Sequence, residues 1–133
     1  MELLHAKISD QILKAFYGFK NKLPIELDLT FFINAFEIEL LELGLEVEKD
    51  KQIEIFYNHK AIGFLKTDLI VNNLVALKVV SIKNEISEKE INDIKTFLKM
   101  TKFELALILN FGPDGEHKRV ILTNEFKPKK HNT

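Results

Sequence analysis

The stretch "KTDLIVNNLVALKVVSIK", residues 66 to 83, decides the fold. Two apolar runs flank Asn72-Asn73, the pattern of a β-hairpin closed by turn-forming residues. Along residues 74 to 82 the side chains alternate, with Leu74, Ala76, Lys78, Val80 and Ile82 on one face and Val75, Leu77, Val79 and Ser81 on the other. Both faces are apolar apart from Lys78 and the small Ser81, which marks a central strand. Each run carries one charge where a buried strand should carry none: Asp68 in the first and Lys78 in the second. An unpaired buried ammonium is costly, so Lys78 must snorkel to the rim of the sheet or meet an anion. Asp68, on the neighbouring strand, is the evident partner. One reading makes the two a structural ion pair at a sheet end, or two solvated charges. The other makes them a site in which the carboxylate holds Mg²⁺ and the lysine stabilises charge developing on a phosphate.

Upstream of the hairpin, residues 9 to about 21 read as a helix capped by Ser9 and striped by Ile12, Ala15, Phe16 and Phe19, before Pro24 breaks the chain. A second helix is expected over residues 28 to 43, with Gly44 as its stop. Phe32, Phe36, Leu40 and Leu43 form one stripe and Phe31, Ala35, Ile38 and Leu41 a second, separated along most of the helix only by Glu37 and Glu39. Such a helix is either central to its domain or half covered by a partner subunit, as in a homodimer. A small domain needs one such helix against its sheet, which favours the central place.

Between this helix and the hairpin, "QIEIFY" at residues 52 to 57 alternates as a strand, "NHK" turns, and "AIGFLKTDLIV" runs on as the next. Beyond the hairpin, Ser87 with Glu90 three residues on is a capping box. It opens a third helix to about Met100, striped by Ile91, Ile94, Phe97 and Leu98. "FELALILNF" is a long apolar strand, "GPDG" a turn and "HKRVILTNEF" a final strand. The order α-α-β-β-β-α-β-β predicts a sheet with helices on it, of the α/β or α+β class. The strands on either side of the third helix suit a parallel crossover.

Composition narrows the function classes. At 133 residues the chain reads as one domain, residues 1 to 126, followed by a lysine-rich tail over 127 to 133 expected to be disordered. A net charge of −1 gives no excess that argues for nucleic acid, membrane or a polycationic partner. The absence of cysteine excludes disulfides, thiolate metal sites and a cysteine nucleophile. No signal-peptide pattern and no membrane-length apolar run is present, so a soluble cytoplasmic protein is expected. His5, His59, His117 and His131 lack zinc-site spacing. Lys118 and Arg119 in "HKR" are weak candidates for contact with nucleic-acid phosphate. Asn110-Phe111-Gly112 has no evident chemical role.

"DLIVNNLVALK", residues 68 to 78, resembles the strand–turn–strand core of PD-(D/E)XK nucleases, where an aspartate ends one strand and the next carries an acid, any residue and a lysine. "LGLEVEKDKQIEIFYNHKAIG", "FLKMT" and above all "LALILNFGPDGEHKRVIL" are similar to the small family named for its GxxExxY motif, over residues 8 to 122. The resemblance implies a mixed central sheet flanked by helices. It assigns Asp68 as the metal-binding aspartate and Lys78 as the catalytic-type lysine. It places the family's glutamate, two before the lysine, on Ala76, which has no oxygen to give a metal. The naming Gly, Glu and Tyr fall on Glu26, Leu29 and Phe32, and the usual third-helix glutamine on Asp93. The loop between Asp68 and Ala76 is about two residues shorter than the family's.

One aspartate with substrate phosphates binds Mg²⁺ only weakly. The residues available to replace the missing acid are Glu54 on the preceding strand, Asp28 or Glu26 at the start of the second helix, and Asp93. The sequence therefore points to a catalytically inactive nuclease-fold protein acting as a binding or interaction module, with no cofactor. Two alternatives stand beside it: a divergent Mg²⁺-dependent nuclease with a migrated acid, and a structural homo-oligomer subunit joined through the 28 to 43 helix.

Overall fold

Phe111 shows how the fold is assembled, because its ring lies 5.0 Å from that of Phe16, 5.8 Å from Phe19, 5.5 Å from Phe32 and 5.6 Å from Phe36. Those four rings come from two helices, α1 (Ala6–Phe19) and α2 (Leu29–Glu42), laid side by side on one face of a sheet. Aromatic contacts of this kind add about 0.5–1.5 kcal/mol per pair beyond the area they bury. The computed structural model describes residues 4–127.

The helices begin where local chemistry sets them. Asp28 caps α2, its side chain accepting from the Thr30 N–H at 3.1 Å, and Gly44 follows the helix at φ 82°, in the left-handed region that favours glycine. The first helix differs from the expectation. It starts three residues earlier, after His5, and Ser9 is buried inside it, its hydroxyl donating back to the Ala6 carbonyl at 3.2 Å. A serine within a helix makes this i−3 bond as readily as it caps one, so Ser9 alone did not fix the start.

The strand run expected as three elements contains five: β1 (Val47–Lys49), β2 (Gln52–Tyr57), β3 (Lys60–Lys66), β4 (Leu69–Val71) and β5 (Val75–Val80). Helix α3 (Glu88–Met100), β6 (Leu105–Asn110) and β7 (His117–Ile121) follow, and the final strand, expected to run on through "LTNEF", stops at Ile121 and gives way to a 3-10 turn at Asn124–Phe126. The main sheet has the order β1-β4-β5-β6-β7, with β5 and β6 parallel across α3 and the other pairs antiparallel. The segment "AIGFLKTDLIV" is broken at Thr67-Asp68. Its first half pairs with β2 in a separate two-stranded ribbon, and its second half joins the main sheet. Asn72 and Asn73 sit at φ 50° and 54°, so the turn before β5 is the tight asparagine hairpin the sequence indicates.

Strand β5 is covered on both faces. Val75, Leu77 and Val79 meet the core beneath α1 and α2, while Ala76 and Val80 meet the core beneath α3 with Ile94, Phe97 and Leu98. The result is a mixed α+β fold of three layers, in which two helices lie on one face and α3 on the other. Of the tail expected from residue 127, Lys127 is fixed, donating to the carbonyls of Thr101 at 2.8 Å and Phe103 at 2.6 Å. Residues 128–133 lie outside the described residues.

Candidate functional site

Lys78 points from β5 toward α3, and the β4–β5 register carried one residue further sets Asp68 opposite it. Asp68 stands at the break between ribbon and sheet. The break is held by side chains in place of ladder bonds: Thr67 donates its hydroxyl to the Leu77 carbonyl at 2.7 Å, and the Val79 N–H donates to Asp68 Oδ2 at 2.7 Å. Burial pushes the Asp68 carboxyl above its ordinary value, with the Val79 N–H and the Lys78 charge partly offsetting the rise. No ion pair joins Asp68 to Lys78 among the described residues, where the salt bridges are Lys49–Glu37, Lys51–Glu48 and Lys89–Asp93. The two charges feel one another electrostatically without touching.

Beside them a cleft of about 100 Å³ opens between the sheet and α3, lined by Lys66, Thr67, Lys78, Glu90, Asp93 and the apolar Ile94 and Phe97. Glu90 is the residue that the sequence reading passed over. Its place three after Ser87 was absorbed by the capping box, yet only half of that box forms: the Glu90 N–H donates to Ser87 Oγ at 3.2 Å. The Glu90 carboxylate makes no hydrogen bond among the described residues, lines the cleft with Lys78, and adds to the negative field at Asp68.

The candidate replacement acids are dispersed. Asp93 reaches the cleft but pairs with Lys89 at 2.9 Å. Glu54 lies exposed on the ribbon opposite Phe64. Asp28 is occupied as a helix cap, and with Glu26 it belongs to the helical layer on the other face of the sheet. Lys118 and Arg119 point to opposite faces of β7, as neighbours on a strand must. Lys118 follows Ile108 and Lys78 in one cross-strand row, whereas Arg119 Nη2 donates to Ser9 Oγ at 3.1 Å on the α1 side.

Ala76 is fully buried among Ile94, Phe97 and Ala106, so an apolar contact fills the place where an acid would stand. Among the described residues no three His, Asp or Glu side chains gather as metal ligands. The position two before Lys78 thus supplies no carboxylate, and the acids that line the cleft beside the pair are Glu90 and Asp93 on α3.

The model of the PD-(D/E)XK nuclease superfamily matches residues 6–120. The chain belongs to that superfamily. Its mixed five-strand sheet flanked by helices agrees with the PD-(D/E)XK fold. No curated protein matches the chain. The crystal structure of SSO0001 is similar at 12% identity and a TM-score of 0.45, over 87% of this chain and 66% of that one.

A larger cleft of about 410 Å³ lies at the ends of the parallel strands, lined by Lys83, Asn84, Asp114, Glu116, His117 and Lys118 among others. The segment Asn110-Phe111-Gly112, without a role in sequence, builds its wall. Asn110 is buried and works as a knot: Oδ1 accepts from the Ile82 N–H at 3.0 Å and the Gly112 N–H at 2.9 Å, and Nδ2 donates to the Ile82 carbonyl at 3.1 Å. A Cβ on Gly112 would stand 2.2 Å from the Ile82 carbonyl oxygen, which is why only glycine fits there. Asn-Phe-Gly is thus structural, with Phe111 filling one core and its neighbours tying two loops.

Proposed function

We propose that this member of the superfamily is a binding module on the nuclease fold that does not hydrolyse phosphodiesters. One observation carries the reading: the position for the second catalytic carboxylate is Ala76, sealed beneath Phe97 and Ile94. Protein-bound Mg²⁺ in phosphoryl chemistry relies on one or two carboxylates plus substrate phosphates, and Asp68 has one oxygen committed to Val79. The cleft presents Lys66 and Lys78 against Glu90 and Asp93, a mixed-charge lining suited to a polar ligand, with Lys118 further along the same face. The motifs shared with the GxxExxY family support placing the chain beside that group.

A second reading rests on Glu90, which reaches the same cleft from α3 and would supply the missing acid of a divergent Mg²⁺-dependent nuclease. Incubation of the protein with single- and double-stranded DNA and RNA, in Mg²⁺ and in Mn²⁺, separates the two. The expected outcome is no metal-dependent cleavage. Cleavage abolished by Asp68→Ala, Lys78→Ala and Glu90→Gln, each still folded, would overturn the first reading in favour of the second.

A further inference from the structure

Strand β7 is an edge of the main sheet, and the hydrogen bonds at its two ends fix which of its backbone groups are free. The Asn110 N–H donates to the Glu116 carbonyl at 3.1 Å, and the Leu122 N–H donates to the Glu104 carbonyl at 2.9 Å. In an antiparallel pair such residues alternate with others whose backbone groups point away from the partner. In the observed register Glu116, Lys118, Val120 and Leu122 therefore bond toward β6, while His117, Arg119 and Ile121 turn their N–H and C=O groups outward. One of these is already used: the His117 N–H donates to the Tyr17 hydroxyl at 3.3 Å. The outward groups of Arg119 and Ile121 have no partner among the described residues. The opposite edge, β1, is three residues long and offers no comparable run.

The side chains along this edge select what can pair with it. Lys118 is exposed, and Arg119 meets the Ser9 hydroxyl through Nη2 while its Nη1 is buried without a partner. Neither cation has a carboxylate among the described residues. A second copy of the chain does not supply one. Twofold self-pairing that overlaps most of β7 is centred on Lys118, Arg119 or Val120. Lys118 then faces Lys118, Val120 or Leu122, and Arg119 faces His117, Arg119 or Ile121. None of these is an acid, and two of the three registers set like charges directly opposite one another, which is destabilising. Charges of this kind keep identical edges apart. They favour a strand that brings carboxylates. On the α1 side the half-exposed Tyr17 and Ile121 flank Arg119, so apolar residues on either side of those carboxylates are accommodated.

We infer that β7 is a docking edge for an extended acidic segment of another protein. The segment adds as a sixth strand, bonds the outward groups of Arg119 and Ile121, and sets adjacent carboxylates opposite Lys118 and Arg119. Adjacent residues of the added strand point to opposite faces, as Lys118 and Arg119 do on β7. The edge is separate from the cleft at Asp68 and Lys78, so neither outcome for that cleft decides it.

The test is titration of the full chain with a short capped peptide carrying two adjacent glutamates between valines, up to about 1 mM, read by amide hydrogen exchange in NMR. In the free protein the Arg119 and Ile121 amides should exchange fast, between the slow amides of Lys118 and Val120. Saturating peptide should slow both at least about 10-fold. The same peptide N-methylated along its backbone, or with lysines for the glutamates, should leave them fast. Lys118→Glu should weaken binding about 10-fold, by turning an attractive cross-strand pair into a repulsive one. Ile121→Pro removes an outward donor and no bond to β6, at a place where an edge strand tolerates proline, and should weaken binding about as much. Should Ile121→Pro misfold by circular dichroism, Lys118→Glu and the N-methylated peptide carry the same reading. The inference is overturned by absence of binding at about 1 mM, by equal binding of the lysine peptide, or by binding that leaves the Arg119 and Ile121 amides fast. Slow exchange of those amides in the concentrated protein alone overturns it in favour of a second copy.

Discussion

Two helices of nearly equal length cover opposite faces of one sheet, and they are built by different rules. Helix α3 suits a monomer in water. It has a serine cap, Glu88 and Glu90 in its first turn, Lys99 in its last, and one apolar stripe that buries Ile94, Phe97 and Leu98. Helix α2 is capped by Asp28 but is apolar on two sides, carries Glu39 and Glu42 in its last turn, and takes its place from the rings beneath it. A helix that satisfies every local rule needs only the sheet to complete it. Helix α2 relies on that ring cluster and leaves Phe31, Ile38 and Leu41 exposed on its outer side.

The contrast is broken most strongly from beneath α2. Phe111→Ala removes the ring that four others surround and should cost about 3–5 kcal/mol in denaturant unfolding. A loss below about 1 kcal/mol would show that α1 and α2 are not held by this cluster. On the other face, Ala76→Glu restores the carboxylate of the nuclease pattern but forces it under Phe97 and Ile94. It should destabilise by about 3 kcal/mol and bring no Mg²⁺ affinity measurable by calorimetry. Tight Mg²⁺ binding by a stable Ala76→Glu protein would mean that α3 yields to admit an ion.

The smallest effect is expected at Asp68 and depends on pH. Its carboxyl is held above the ordinary value of 3.8, so ionisation is less favourable in the fold than in the unfolded chain. The resulting destabilisation is complete above the raised value and vanishes as pH falls through 3.8. Asp68→Asn keeps an acceptor for the Val79 N–H. It should therefore raise the Tm at neutral pH, with the gain fading as pH approaches about 3. A gain independent of pH would assign the effect to packing instead.

Where local chemistry and tertiary structure agree, the sequence was easy to read. The Asn72-Asn73 turn, the two faces of β5 and the Ser87 cap each follow from residue types and spacing. The break at Thr67-Asp68 was illegible because no glycine or proline marks it. It is made by Thr67 and Asp68 bonding to Leu77 and Val79 on β5, a tertiary event. Glu90 was hidden by a plausible local role, and Ser9 was misplaced by one. Asp68 and Lys78 were legible as a pair of anomalies, but not the separation that leaves them without an ion pair.

The β2–β3 ribbon has a use of another kind. The five-strand ladder closes through β1, β4, β5, β6 and β7 without a single ribbon strand, and the ribbon's tip at Asn58-His59 is exposed with both residues at positive φ. The chain can be lengthened, shortened or cut at that tip without breaking a hydrogen bond of the main sheet. The domain thus carries a built-in insertion point, where a peptide tag or a second domain can be grafted at the far end of the ribbon from Lys66 and the cleft.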